Sequence, residues 1–101
     1  MLDTAAFTDL RSYIKMRITK AKYYIGNTGY NAVINDVAVL NNGTVRAQVS
    51  VIPSSTPVTI TKVELYNSNG DLWAHQNCSI TVKTGQAGIL YWFDFTVTEE
   101  V

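Results

Sequence analysis

The stretch "VELYNSNGDLWAH", Val63 to His75, decides the fold, because it carries the plainest hairpin signal in the chain. Asn69-Gly70 stands between two alternating apolar runs. A two-residue type I′ turn needs φ > 0 at both central positions, which Asn and Gly tolerate best. Such a turn sets Asn67 opposite Leu72, Tyr66 opposite Trp73, Leu65 opposite Ala74 and Glu64 opposite His75. Val63, Leu65, Leu72 and Ala74 then share one face, with Tyr66 and Trp73 together on the other.

The same period of two extends both ways from this hairpin. Upstream, "AVINDVAVL" (Ala32 to Leu40) reads as a strand, and "NNG" (Asn41 to Gly43) turns it into "TVRAQVSVI". There Val45, Ala47, Val49 and Val51 face one way, and Arg46, Gln48 and Ser50 the other. "PSSTP" interrupts the chain before "VTITKVELY", whose apolar phase slips near Thr61-Lys62 and predicts a bulge or bend. Downstream, "NCSITVK" aligns Cys78, Ile80 and Val82. "ILYWFDFTV" then aligns Ile89, Tyr91, Phe93, Phe95 and Val97. Six short strands with turns every eight to twelve residues predict an antiparallel β-sandwich.

Before the strands the period is helical. From Thr4 to about Tyr24, Ala6, Leu10, Tyr13, Ile14, Ile18, Ala21 and Ile25 recur at three- and four-residue spacing. Asp3 or Thr4 is placed to cap the first turn and Gly26 to end the helix, although "KAKYYIG" equally suits the start of a strand. The expected fold is therefore α+β and mainly β: an N-terminal amphipathic helix, then a six- to seven-strand antiparallel, immunoglobulin-like β-sandwich. Its 101 residues make a single domain, 1–101, with the helix over 1–26 and the sandwich over 30–99.

Charge is balanced overall, with eight basic and eight acidic residues, so no global field favours nucleic acid. Its distribution is uneven. Arg11, Lys15, Arg17, Lys20 and Lys22 lie within twelve positions, while Tyr23 to Val101 holds three basic and six acidic groups, a net of −3. No apolar run approaches the roughly 20 residues of a membrane span, and "MLDTAAFTDL" does not read as a signal peptide. With Cys78 alone, no intrachain disulfide forms, which suits synthesis in a reducing bacterial cytoplasm.

Catalytic chemistry finds little support. His75 is the one histidine, which excludes multi-histidine metal sites and most hydrolase triads. Asp36, Glu64, Asp71 and Asp94 fall on different strands or turns, and "GNTG" lacks the context of a phosphate loop. No cofactor or metal is expected, and no enzyme.

Two surface features remain. Arg11, Lys15 and Lys22 fall on one line of the expected helix and form a charged contact face. Tyr66, Trp73 and Trp92 point outward from the expected strands. Exposed aromatics of this kind mark an interface. They are covered by the helix, by a sister subunit, or by a sugar ring stacking on them; sequence leaves all three open.

"ITKVELYNSNGDLWA" (Ile60 to Ala74) resembles a hairpin of phage tail-fibre and baseplate-associated proteins, in which an apolar-alternating strand meets a "D/N-x-x-G-x-L" turn followed by Ala. "ILYWFDFTV" resembles the last strand of such modules, and "FTDLRSYIKMRITKAKYYIG" the helical lead-in of small prophage structural proteins. Together these cover about half of the chain. The resemblance implies a non-enzymatic structural part of a phage or prophage particle that is incorporated into a virion and acts by assembly. Its expected partners are a second copy of itself and other structural proteins. The contacts would be Leu10, Ile14, Ile18, Tyr66, Trp73 and Trp92. The alternative is a small carbohydrate-binding module stacking sugars on Trp73 and Trp92.

Overall fold

The computed structural model describes residues 1–97. One helix, α1 (Thr4–Arg17), precedes six strands: β1 (Lys20–Ile25), β2 (Thr28–Val39), β3 (Val45–Val51), β4 (Val58–Tyr66), β5 (Leu72–Val82) and β6 (Ile89–Phe95). All pairings are antiparallel, and the strand order is β5-β4-β1-β2-β3-β6. The result is mainly β, a single sheet that nearly closes on itself.

The long strand β2 makes this curvature. Its first half, Thr28 to Ala32, pairs with β1; from Val33 onward it pairs with β3. The register breaks between Ile34 and Asp36. An extra residue at such a bulge bends the strand and sharpens its twist. Where turn spacing predicts two sheets, the six strands form one, its two halves joined through β2. Both edge strands contribute to one core: Cys78 and Ile80 of β5 and Ile89 and Tyr91 of β6 pack against the same buried cluster.

The interior follows the alternation. Val45, Ala47, Val49 and Val51 of β3 are fully buried, as are Ile60, Val63 and Leu65 of β4 and Val82 of β5. Ile89, Tyr91, Phe93 and Phe95 of β6 face the same core. Ile60 and Val63 both point inward, and the register of β4 against β5 shifts between Ile60 and Lys62. The slip read at Thr61-Lys62 coincides with this shift, in which two steps along β4 match three along β5, from Ile80 to Asn77.

Two sequence expectations are corrected. The helix does not run to residue 26. It stops at Arg17, and Ile18 is already extended at φ −82°, ψ 105°. Ile18-Thr19 and Tyr23-Tyr24-Ile25 are β-branched or aromatic residues that suit strands. Ala21 and Ile25 fit a helical stripe, but together with Tyr23 they also recur at period two, and burial follows the latter. Gly26, at φ +60°, sits in the β1–β2 turn between the paired Ile25 and Thr28.

The opening hairpin is also longer in its turn than expected. Leu65 faces Ala74 and Glu64 faces His75, as the sequence indicates, but Tyr66 faces Leu72, and the register shifts beside it. The Asn67 N–H donates to Asp71 O and the Gly70 N–H to Asn67 O, with Gly70 at φ +84°. This is a three-residue loop closed by a glycine bulge. The β2–β3 turn is built alike: Leu40 N–H donates to Thr44 O, Gly43 N–H to Leu40 O, and Gly43 is also at φ +84°. In the β4–β5 turn the nearly buried Asn67 adds its side chain. Its Oδ1 accepts from the N–H groups of Asn69 (3.0 Å) and Asp71 (2.9 Å).

Helix α1 lies across the end of the sheet that carries both these turns. Arg11 lies against Gly43, the Tyr13 ring sits 6.2 Å from that of Trp73, and Ile18 enters the core. No residue of α1 itself is fully buried. Asp3 is the N-cap, through its carbonyl, which accepts from Ala6 and Phe7, with no side-chain capping bond.

Candidate interaction surface

The outer face of β2, β3 and β6 follows from the register. Val33, Ser50 and Leu90 form one row across the three strands; Asp36, Gln48 and Trp92 form the next; Ala38, Arg46 and Asp94 form a third. Ile52 continues the outward phase of β3. Alternation that puts valines inside should put polar groups outside. Here it does not. Val33 is 63% exposed, Ile52 67%, Leu90 56% and Trp92 51%, around a centre held by Ser50. Ser50, Ile52, Leu90 and Gly88 line a shallow hollow of about 240 Å³ beside them. Gly88 is required there: at φ +152°, an added Cβ would meet the Val51 carbonyl oxygen at 2.6 Å.

A fixed polar group borders this patch. The Arg46 guanidinium grips Asp94 in two-point fashion, Nε to Oδ1 at 2.8 Å and Nη2 to Oδ2 at 2.9 Å. Its Cζ lies 4.3 Å from the centre of the Trp92 ring. The hydrogen bond to Arg46 holds the Asp94 carboxyl below its ordinary range. Two-point pairing fixes geometry as well as charge, so the cation is held in place over the Trp92 ring.

The expected contact residues separate into two groups. Ile14 and Ile18 pack on the chain's own core, so the helix covers its own sheet end. Trp73 does not stand beside Tyr66 on the outside: displaced by the register shift, it packs against the core beneath Tyr13. Tyr66 is half-buried and donates its hydroxyl to Glu64. Leu10 and Trp92 are exposed, and Leu10 joins Tyr13 and Met16 on an outward stripe of α1. Arg11 is partly buried over the Phe7 ring, while Lys15 is exposed on α1. Lys22 belongs to β1 and so does not share the helix face with them.

A second arrangement lies on the outer face of β1 and β4, where Lys22 faces Glu64, Lys20 faces Tyr66 and Tyr24 faces Lys62. Glu64 is only 6% exposed although it points away from the core. Burial pushes its carboxyl up, but hydrogen bonds from Tyr66 and Tyr24 and the charge of Lys62, 3.4 Å away, outweigh this and hold it low. The Tyr66 hydroxyl is correspondingly pushed far above its usual range by burial and by Glu64. The sequence marks Glu64 as an ordinary outward acid; Tyr66 follows it two residues on along β4, but Tyr24 becomes its neighbour only once β1 is recognised as a strand. Among the described residues no three His, Cys, Asp or Glu side chains converge on a metal-sized space, and no helix is long and apolar enough to cross a membrane.

Compared with protein-family models, curated proteins and solved structures, the chain matches none of them.

Proposed function

We propose that this protein is a non-enzymatic assembly component that works through protein–protein contacts, first of all with further copies of itself. One observation carries the reading: four large apolar side chains, Val33, Ile52, Leu90 and Trp92, each more than half exposed, share one sheet face around Ser50. Apolar patches of a few hundred Å² on a small domain are characteristic of interfaces. A sheet face is well shaped for the purpose, since two such faces stack about 10 Å apart with interdigitating side chains. In this reading the patch forms the core of the contact, and the Arg46–Asp94 pair forms its polar rim.

The setting we propose is a phage or prophage particle, on the strength of the hairpin and final-strand resemblance. We read the two halves of the folded-over sheet as the layers of an immunoglobulin-like sandwich sharing β2. Sugar stacking on Trp73 and Trp92 together is the weaker reading, because Trp73 packs against the core under Tyr13 while Trp92 faces outward.

The test is the mass in solution, by light scattering behind a sizing column across a hundredfold concentration range, for the natural chain and for Leu90→Lys. A defined oligomer that Leu90→Lys converts to monomer supports the proposal. A natural chain that is monomeric throughout, or an oligomer that Leu90→Lys leaves intact, overturns it.

A further inference from the structure

We infer that the cleft where β2 leaves β1 is a binding site for an oxyanion, a phosphate, sulfate or carboxylate group carried by a small ligand. The β1–β2 ladder ends at the Ala21–Ala32 pair, because β2 turns away to join β3. The space that opens at this fork is about 560 Å³ and is walled by Thr19, Lys20, Lys22, Asn31, Tyr66 and Gly70. Small-ligand sites fall in this size class, roughly 300–1,000 Å³. It shares only β2 with the apolar face, Asn31 standing two residues from Val33, and its lysines lie on β1; it goes beyond the assembly reading and does not depend on it.

The charge arrangement makes the cleft selective. Lys20 and Lys22 are two apart on one strand and both are exposed on its outer face. Glu64, the residue directly opposite Lys22, is already engaged by Tyr66, Tyr24 and Lys62. Lys22 has only the Tyr66 ring, 5.6 Å away, and neither lysine has a carboxylate within ion-pair distance among the described residues. Asp71, on the adjoining turn, has its Oδ2 3.4 Å from the Asn67 side-chain amide and forms no ion pair with either lysine among the described residues. Two ammonium groups of one sign therefore share a concave site, where the low-dielectric walls concentrate their field. Thr19 and Asn31 add a hydroxyl and an amide, which are donors suited to the remaining oxygens of a tetrahedral or planar anion. Charge-assisted hydrogen bonds of this type are the stronger class.

The lysine over the Tyr66 ring also limits what else binds. It occupies the one aromatic face in the cleft, so recognition falls on charge and hydrogen bonding and not on stacking.

The experiment is a two-dimensional amide NMR titration at low ionic strength with inorganic phosphate, inorganic sulfate and acetate in separate arms. Sodium chloride at matched ionic strength is the control. Saturable shifts confined to residues 19–22, Asn31 and Gly70 are expected. Lys20→Gln/Lys22→Gln should weaken binding roughly tenfold or more, and the remote Lys83→Gln should leave it unchanged. Asn31→Asp, which puts a carboxylate at the mouth, should weaken it as well. The arm that saturates lowest identifies the anion. Shifts that never saturate, that match sodium chloride, or that persist in the double variant would overturn the inference. Repeating the titration in Leu90→Lys separates this result from any change in assembly.

Discussion

Replacing Asn67 by Ala should be among the most damaging single changes outside the core, and its size follows from the turn geometry. The Asn67 Oδ1 accepts two backbone hydrogen bonds, from Asn69 at 3.0 Å and Asp71 at 2.9 Å. Each is worth about 1 kcal/mol net, so the pair contributes roughly 2 kcal/mol. Asn69 and Asp71 are exposed, so their freed N–H groups recover water and the larger penalty for a buried unpaired donor is not incurred. The 3.4 Å contact from Asn67 Nδ2 to Asp71 is too long to add much. A loss of about 2 kcal/mol lowers the melting temperature of a domain this size by roughly 8–15 °C. Asn67→Asp keeps the acceptor and should lose less than half as much. The sister turn gives an internal control: Asn42 Oδ1 accepts only from Thr44, at 3.0 Å, so Asn42→Ala should cost about 1 kcal/mol or less. Urea denaturation followed by tryptophan fluorescence measures all three. Asn67→Ala within 0.5 kcal/mol of the natural chain, or no worse than Asn42→Ala, would refute the account of this turn.

Other consequences concern the core, the patch and pH. Leu65→Ala empties a fully buried site and should cost about 3 kcal/mol by denaturant unfolding, whereas Leu90→Ala on the outer face should change the stability of the monomer by under about 0.5 kcal/mol. Gly88→Ala must move either its own backbone or the Val51 carbonyl, so differential scanning calorimetry should show a lower melting temperature, with backbone strain of roughly 1–3 kcal/mol. Glu64 ionises more readily folded than unfolded, so its contribution is present above the ordinary carboxyl range and lost as pH falls through its folded value. The stability gap between the natural chain and Glu64→Gln should accordingly narrow on acidification from neutrality. Tyr23, Tyr66 and Tyr91 are all pushed above the usual phenol range, chiefly by burial; the stability they confer is present below that range and lost as pH rises through their folded values. Absorbance at alkaline pH should show part of the tyrosine population ionising late and together with unfolding.

The alternating core of β3, β4 and β6 was readable because period two is a geometric property of an extended chain, and no competing pattern runs through those segments. The break in register at Thr61-Lys62 was readable for the same reason, since a slipped phase leaves a visible trace. Two readings failed and offset each other in the strand count. Lys20 to Ile25 fits helical and strand spacing equally, and what decided it was long-range pairing with both β2 and β4, which no local pattern records. Conversely, "LWAH" and "NCSITV" belong to one continuous strand, β5, held in line by its register against β4. The two-residue turn was misread because Asn-Gly serves equally as the centre of a type I′ turn and as the end of a three-residue loop; the buried Asn67 side chain selects the latter. That single added residue carried Trp73 from the expected outer face to the core. Of the expected aromatic surface, Trp92 alone stayed fully outward. The patch around it includes Ile52, which the alternation through Val49 and Val51 already turns outward, and Val33, which looks like an ordinary core valine until the register assigns its face.

The most direct test of the assembly account follows Trp92 itself, in a Trp73→Phe chain where it is the sole tryptophan. Its emission and its quenching by acrylamide are recorded from micromolar to near-millimolar protein. Burial of the β2–β3–β6 face between copies predicts emission that shifts to shorter wavelength and quenching that falls as concentration rises, with both changes abolished by Leu90→Lys. Emission and quenching that stay those of an exposed tryptophan at every concentration would contradict it.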